Sequence, residues 1–90
     1  MGGQTHTADA RVLNRRTLEN DHRRLAAILR PGAFVLDAGC GTGAITAGIA
    51  RVCGPAGRVV GLDRDAEMVA QARAAHAAPN LTFVHGDLLT

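Results

Sequence analysis

The amino-acid sequence predicts an α/β fold with a parallel sheet at its centre and helices on both faces. Three short apolar segments alternate with two segments of helical composition, an order typical of parallel strands joined by crossover helices. The apolar content is 47% of the 90 residues, and it comes mainly from Ala, Val, Leu and Ile, with only two aromatic residues. Such side chains suit helices packed on a sheet, so we expect half of a doubly wound sheet.

The N-terminal segment, residues 1–32, is predicted to be helical. Apolar residues recur at roughly helical spacing between positions 7 and 29, which indicates one or two helices. The sequence Arg30-Pro31-Gly32 would end them, because a residue before proline avoids the helical region and glycine favours turns. We therefore place a boundary after residue 32 and a second unit at residues 33–90.

Three segments of this second unit have the character of buried strands. Each is short and mainly apolar, which is typical of a strand covered by other elements. They are residues 33–38, 58–63 and 81–85. The connections between them are long enough to return the chain to the same end of the sheet, so the strands are predicted to be parallel with right-handed crossovers.

Two helices are predicted between these strands, over residues 44–53 and 66–78. In the first, Ile45, Ile49 and Val52 fall on one helical stripe, which we expect to face the sheet. The second is rich in strong helix formers, and Asp65 is placed to cap its first turn.

A glycine-rich loop, residues 39–43, joins the first predicted strand to the first helix. Glycines at every second position let the backbone turn sharply and approach a ligand with no Cβ between them. Ligands of parallel sheets bind beyond the carboxyl ends of the strands, and each predicted strand finishes at or near an acid: Asp37, Asp63 and Asp87. Acids beside the loop repel a pyrophosphate and favour a ligand that carries an ammonium or sulfonium. Asp63 is also placed to accept from both hydroxyls of a ribose.

This set of motifs resembles that of the class I S-adenosylmethionine-dependent methyltransferases. VLDAGCGTG, residues 35–43, resembles the first motif of the family, and VVGLDRD, residues 59–65, resembles its ribose-binding strand end. FVHGDLL, residues 83–89, resembles the segment that borders the adenine. The motifs occur in the family's order and spacing over nearly two thirds of the chain.

The resemblance implies that residues 33–90 are part of a Rossmann-like domain that binds S-adenosylmethionine. Gly39 and Gly41, with Cys40 between them, would lie against the methionine part and ribose of the cofactor. Asp37 would help to hold the loop and the cofactor's ammonium. Asp63 would bind the ribose hydroxyls, Arg64 would cover one face of the adenine, and Asp87 with Leu88 would meet its amino edge. Arg64 departs from the family, in which apolar residues are frequent at this position, although a guanidinium plane can stack on the ring.

The same resemblance implies that the chain is the N-terminal portion of a longer methyltransferase, truncated after the third strand. A cytoplasmic location is expected on separate grounds, because the two cysteines match no metal-ligand or redox spacing and are predicted to be reduced. Members of the family continue for four further strands, which carry most of the acceptor pocket. We therefore assign no catalytic residue, and we expect the isolated chain to be inactive and its first strand to be left as an exposed edge. A small-molecule methyl acceptor is expected.

Other interpretations of these residues remain open. Gly39, Gly41 and Ala44 also satisfy the pattern G-x-G-x-x-A, which is compatible with an NAD-type half-domain that transfers no methyl group. Asp37 alone could be a helix cap, Asp63 a turn residue, Asp87 a solvated strand end, and Cys40 a small filler.

Composition argues against several other classes of protein. Six of the ten arginines precede the glycine loop, but no aromatic residue interleaves with them to stack on a base, so we do not expect a nucleic-acid partner. No apolar run is long enough to span a membrane. The spacing of Cys40 and Cys53 matches neither a metal site nor a redox pair, so no metal is expected and the thiols are predicted to be reduced.

Overall fold

The computed structural model describes residues 10–14 and 29–87, and these residues form one parallel sheet with two helices. The spatial order of the strands is the order of the chain, β1-β2-β3-β4. The strands are β1 (Ala10–Asn14), β2 (Phe34–Ala38), β3 (Arg58–Asp63) and β4 (Leu81–His85), and the helices are α1 (Ala44–Cys53) and α2 (Ala66–Ala75).

The predicted parallel α/β sheet is confirmed for the strands that follow residue 33. β2 pairs in parallel with β3, and β3 pairs in parallel with β4. The predicted bounds of these three strands are correct to within one residue, as are those of α1. α2 ends at Ala75, three residues before the predicted position, because His76 adopts an extended conformation with φ −134° and ψ 126°.

Within the N-terminal segment the structure describes residues 10–14, which form a strand, and residues 29–32, which form a bend and a turn, so the prediction of helix is wrong for residues 10–14. β1 pairs in parallel with the whole of β2, from Ala10 beside Phe34 to Asn14 beside Ala38. The physical reason is that an unpaired strand edge presents a row of free N–H and C=O groups, which a short segment can satisfy. The expected exposed edge of β2 is therefore also wrong. Residues 15–28 of the predicted helical segment lie outside the described residues, and the boundary after residue 32 stays a prediction.

Both described helices lie on the same face of the sheet. Residues of α1 pack against the inward side chains of β2 and β3 in a cluster that contains Ala33, Val35, Ile49, Ala50, Cys53 and Val59. Residues of α2 pack against β4 and the glycine loop in a second cluster of Cys40, Val69, Ala72 and Phe83. We predicted helices on both faces of the sheet, whereas the two described helices share one face. Right-handed crossovers that step in one direction along a sheet all return on one side, and a layer on the other side requires the direction to reverse.

The face that α1 buries differs from the apolar stripe predicted for it. Ile49 is buried, but Ile45 is 60% exposed and Val52 is 49% exposed. The buried residues are Thr46, Ala47, Ile49, Ala50 and Cys53. Most of these side chains are small, so the helix axis can approach the sheet closely.

Phe83 fills the space next to two glycines on this covered face. A Cβ at Gly61, in the middle of β3, would lie 2.7 Å from the Phe83 ring, and a Cβ at Gly43 would lie equally close. A glycine inside a strand often marks such a close approach. The ring therefore fixes the position of the N-terminus of α1 over the sheet.

Asp65 begins α2 as the sequence predicts. Its Oδ1 accepts hydrogen bonds from the amides of Glu67 at 2.9 Å and Met68 at 3.3 Å. These bonds satisfy two of the four amide groups that have no partner inside the helix. The cap sets the direction in which the chain leaves β3, immediately beside Asp63.

Candidate binding site at the carboxyl edge of the sheet

The glycine loop turns from β2 into α1 through a left-handed backbone. Gly39, Gly41 and Gly43 have φ values of +79°, +58° and +88°, which other residues adopt only with strain. A Cβ at Gly39 or at Gly41 would meet no other atom within 4 Å, in contrast to Gly43 on the Phe83 ring. The outer side of the loop is thus bare backbone that faces open space.

Backbone hydrogen bonds hold the inner side of this loop against the end of β3. The amides of Gly39 and Cys40 both donate to the carbonyl of Leu62, at 2.7 and 3.1 Å. The amide of Gly43 donates to the carbonyl of Cys40 at 3.1 Å. The loop is therefore a defined turn whose position is set by the neighbouring strand.

Asp63 lies at the predicted edge and connects the glycine loop to the start of α2. Its Oδ2 accepts from the amide of Gly41 at 2.9 Å, and its Oδ1 accepts from the amide of Asp65 at 2.8 Å. The side chain is half-buried. A carboxylate has about four lone-pair sites, so these two bonds orient the group and leave acceptor capacity for the hydroxyls of a ligand.

Asp37 lies at the same edge but turns inward under α1. It is fully buried, and its Oδ2 accepts from the hydroxyl of Thr46 at 2.6 Å. This geometry supports a role in holding the loop, since the bond ties the end of β2 to the first turn of α1. Thr46 was not recognised from the sequence. The available signal was a hydroxyl in the first turn of a helix that follows a buried acid.

The remaining predicted site residues lie on the turns beyond β3 and β4. Arg64 is exposed, and its carbonyl accepts from Nε2 of His85 at 3.0 Å. The amide of Gly86 donates to the carbonyl of Asp63 at 2.9 Å, which holds the segment after β4 beside the β3–α2 turn. Asp87 follows in this segment and is half-buried, whereas Leu88 lies outside the described residues.

The two cysteines have their side chains in the interior. Cys40 is 2% exposed and packs with Val69, Ala72 and Phe83, as a small filler would, so contact with a ligand would involve its backbone. Cys53 is 1% exposed in the other core cluster. Burial raises the pKa of the Cys53 thiol above its ordinary value of 9.0, and a backbone hydrogen bond at Arg30 opposes this rise. Both cysteines are thiols rather than halves of a disulfide.

Residues 10–14 and 29–87 contain neither a cluster of metal-ligating side chains nor a membrane-spanning helix. In that part of the chain no three residues among His, Cys, Asp and Glu come together in a way that could hold a metal ion. No helix there is both long and apolar enough to cross a membrane.

Comparison with known proteins identifies the family. A family model described as "Methyltransferase domain" matches residues 35–90, which is more than half of the chain. The match includes β2, the glycine loop, both helices and the strand ends that carry Asp63 and Asp87.

Individual relatives agree with the family model. Trans-aconitate 2-methyltransferase of Deinococcus radiodurans is 47% identical over 68 residues, 73% of this chain and 26% of that protein. A 23S rRNA (uracil(1939)-C(5))-methyltransferase of Shewanella is 42% identical over 62 residues, 66% of this chain and 13% of that protein. The chain thus spans about a quarter or less of the length of these relatives.

A solved structure shows the same relationship in three dimensions. A protein-L-isoaspartate O-methyltransferase superposes with a TM-score of 0.60 and 30% sequence identity, over 70% of this chain and 21% of that one. These matches give no support to the NAD-type alternative. By its sequence motifs, its fold and the family model that covers most of it, the chain belongs to the methyltransferase domain family.

Proposed function

We propose that this chain is the S-adenosylmethionine-binding portion of a methyltransferase that acts on a small-molecule acceptor. The observation that carries the proposal is the fixed carboxylate of Asp63 beside the open backbone of Gly39 and Gly41. A nucleoside with two free ribose hydroxyls requires a fixed hydrogen-bond acceptor next to a turn that no side chain covers.

Each residue of the site has a distinct part in the proposed binding. The carboxylate of Asp63 accepts hydrogen bonds from the ribose hydroxyls at its two remaining lone-pair positions. The glycine loop lets the methionine portion of the cofactor lie against the main chain. Arg64 is exposed at the start of the next turn, where its guanidinium plane can stack on the adenine. Asp87 and Leu88 are proposed to border the amino edge of the base, and Asp37 to hold the loop and, through water, the ammonium.

The chemistry that this chain supports is a displacement at a methyl group. The bound cofactor supplies a methyl carbon made electrophilic by the adjacent sulfonium. The residues of this chain bind and orient, and much of the rate of such a displacement comes from holding two reactants in attack geometry. The acids at the edge of the sheet add a negative environment that favours a cationic ligand.

Two parts of the proposal have separate grounds. The small methyl acceptor is proposed from the relatives, and the cytoplasmic location is proposed from the cysteines. Of the two relatives above, the trans-aconitate enzyme is the more similar in sequence, and its match extends over more of this chain. This similarity favours a small-molecule acceptor. Two buried cysteines that form no disulfide with each other suit a reducing compartment.

Calorimetric titration of the full-length protein tests this proposal directly. We expect binding of S-adenosylmethionine and S-adenosylhomocysteine and none of NAD. Asp63→Ala should weaken binding of S-adenosylhomocysteine at least tenfold, because a hydrogen bond to a charged group contributes about 1.5–3 kcal/mol.

Asp65→Asn is the matched control, since it removes one negative charge two residues away and keeps an oxygen that can cap α2. The affinity of Asp65→Asn for S-adenosylhomocysteine should stay near that of the wild type. Binding of NAD alone would refute the proposal, and an unchanged affinity in Asp63→Ala would remove Asp63 from the site.

A further inference from the structure

We infer that Thr46 is a positioning residue of the cofactor site, which holds the glycine loop in its binding conformation through Asp37. The inference rests on the proposed function for the identity of the ligand. It assigns to Thr46 no contact with the ligand itself.

The contact between Thr46 and Asp37 spans the whole glycine loop. Both side chains are fully buried, and the hydroxyl donates to the carboxylate over 2.6 Å. Asp37 is the penultimate residue of β2, and Thr46 is the third residue of α1. Residues 39–43 lie between these two points, so the bond closes the base of the loop.

The first turn of α1 has little else in its own sequence to anchor it. Its N-cap is Gly43, which provides no side-chain hydrogen bond, and the turn contains no acidic residue. The N-terminus of a helix carries a partial positive charge and favours a nearby anion. Asp37 supplies this anion from the strand, and the hydroxyl of Thr46 fixes its orientation.

Two side-chain anchors therefore supplement the backbone bonds between the loop and β3. The carboxylate of Asp63 binds the amide of Gly41 within the loop, and Thr46 and Asp37 join its two ends. Glycines at three positions give the loop no conformational preference of its own, so external anchors must restrict it. A loop ordered before the ligand arrives binds more tightly, because less entropy is lost on association.

Thr46→Val tests the inference because valine keeps the shape of threonine and removes only the hydroxyl. Thr46 is not the sole partner of Asp37, so the carboxylate keeps other interactions and the variant is expected to fold. We expect the dissociation constant for S-adenosylhomocysteine to rise about tenfold in the full-length protein. We also expect amide hydrogen exchange to accelerate in residues 39–46 while β3 and β4 keep their protection.

Two further variants complete the design. Thr46→Ser retains the hydroxyl and should restore both affinity and protection of the loop. Thr82→Val makes the same substitution on an exposed position of β4, where it should change neither quantity.

Wild-type affinity in Thr46→Val would overturn the inference, and so would faster exchange spread evenly over the sheet, which indicates a general loss of stability. Failure of the wild type to bind S-adenosylhomocysteine would refute the proposed function instead. The role of Thr46 would then be decided by exchange in the loop alone: local acceleration supports it, and an unchanged loop refutes it.

Discussion

Gly39 and Gly41 at the carboxyl end of the sheet differ from Gly57 at the amino end in what surrounds them. At the carboxyl end, a Cβ on Gly39 or Gly41 would point into open space. At the amino end, a Cβ on Gly57 would lie 2.7 Å from the carbonyl oxygen of Ala33 and 2.8 Å from Cβ of Cys53. The first pair leaves room for a ligand, whereas Gly57 allows two parts of the protein to pack together.

Hydrogen bonds at the two ends show the same contrast. At the amino end, the side-chain amide of Asn80 donates to the carbonyls of Ala50 and Gly54 at 2.8 and 2.9 Å, which adds a second donor to each of these groups at the C-terminus of α1. At the carboxyl end, Asp63 retains acceptor positions beyond its two backbone bonds. The Asn80 amide at the amino end is thus used within the protein, whereas Asp63 at the carboxyl end keeps acceptor positions in addition to its two backbone bonds.

The strongest test of this comparison substitutes alanine for one glycine from each end. Gly57→Ala should lower the free energy of unfolding by about 1–3 kcal/mol, because the added methyl overpacks a site lined by backbone. The folded variant should bind S-adenosylhomocysteine as the wild type does. Urea denaturation and calorimetry measure the two quantities.

Gly39→Ala should instead lower affinity, since the methyl enters the space proposed for the ligand, in addition to a strain of about 1–2 kcal/mol from its positive φ. Equal losses of affinity in both variants would break the distinction between the two ends.

A smaller effect is expected at Asn80. Asn80→Ala should lower the free energy of unfolding by about 1–2 kcal/mol, since the carbonyls of Ala50 and Gly54 lose the side-chain donor that supplements their backbone donors. Asn80→Asp should be at least as destabilising, because a carboxylate cannot donate and stands at the negative end of the helix. Thermal unfolding at neutral pH gives both values, and a stable Asn80→Asp protein would show that the cap is unimportant.

The smallest effect concerns the pH dependence of stability at Cys53. Burial raises the pKa of this thiol in the folded protein, so the unfolded chain loses its proton first as the pH rises. Stability contributed by the protonated thiol is complete below pH 9.0 and declines above it. The chain contains no lysine or tyrosine to titrate in the same range. Wild type and Cys53→Ala, compared by denaturation between neutral and alkaline pH, should converge in stability as the pH increases; parallel curves would contradict the assignment.

Local signals in the sequence predicted most of the fold. The apolar runs predicted β3 and β4 correctly. Strong helix formers that follow a capping aspartate predicted the start of α2. Residues 10–14 were missed because they form a strand only by pairing with β2, which is distant in sequence. The layer of the helices depends on the direction in which successive strands are added, and composition does not encode that direction.

The candidate site was predictable in its acids and glycines but not in its internal bonds. The position of Asp63 follows from the strand that it ends, whereas its bonds to the amides of Gly41 and Asp65 depend on the path of the loop. The role of Thr46 is not predictable from the sequence alone, because it depends on the Asp37 side chain pointing under α1. The difference between Gly39 and Gly57 is likewise invisible in the sequence, because both are glycines in turns.

The strand order also has a consequence for how the chain is made. Ala10 pairs with Phe34, Phe34 with Arg58, and Val59 with Leu81, so each pairing joins residues 22 to 24 positions apart. Among the described residues, β2, β3 and β4 therefore each pair with a strand that was synthesised immediately before them. Closing intervals of this length costs less entropy than closing longer ones, which favours stepwise growth of the sheet along the chain.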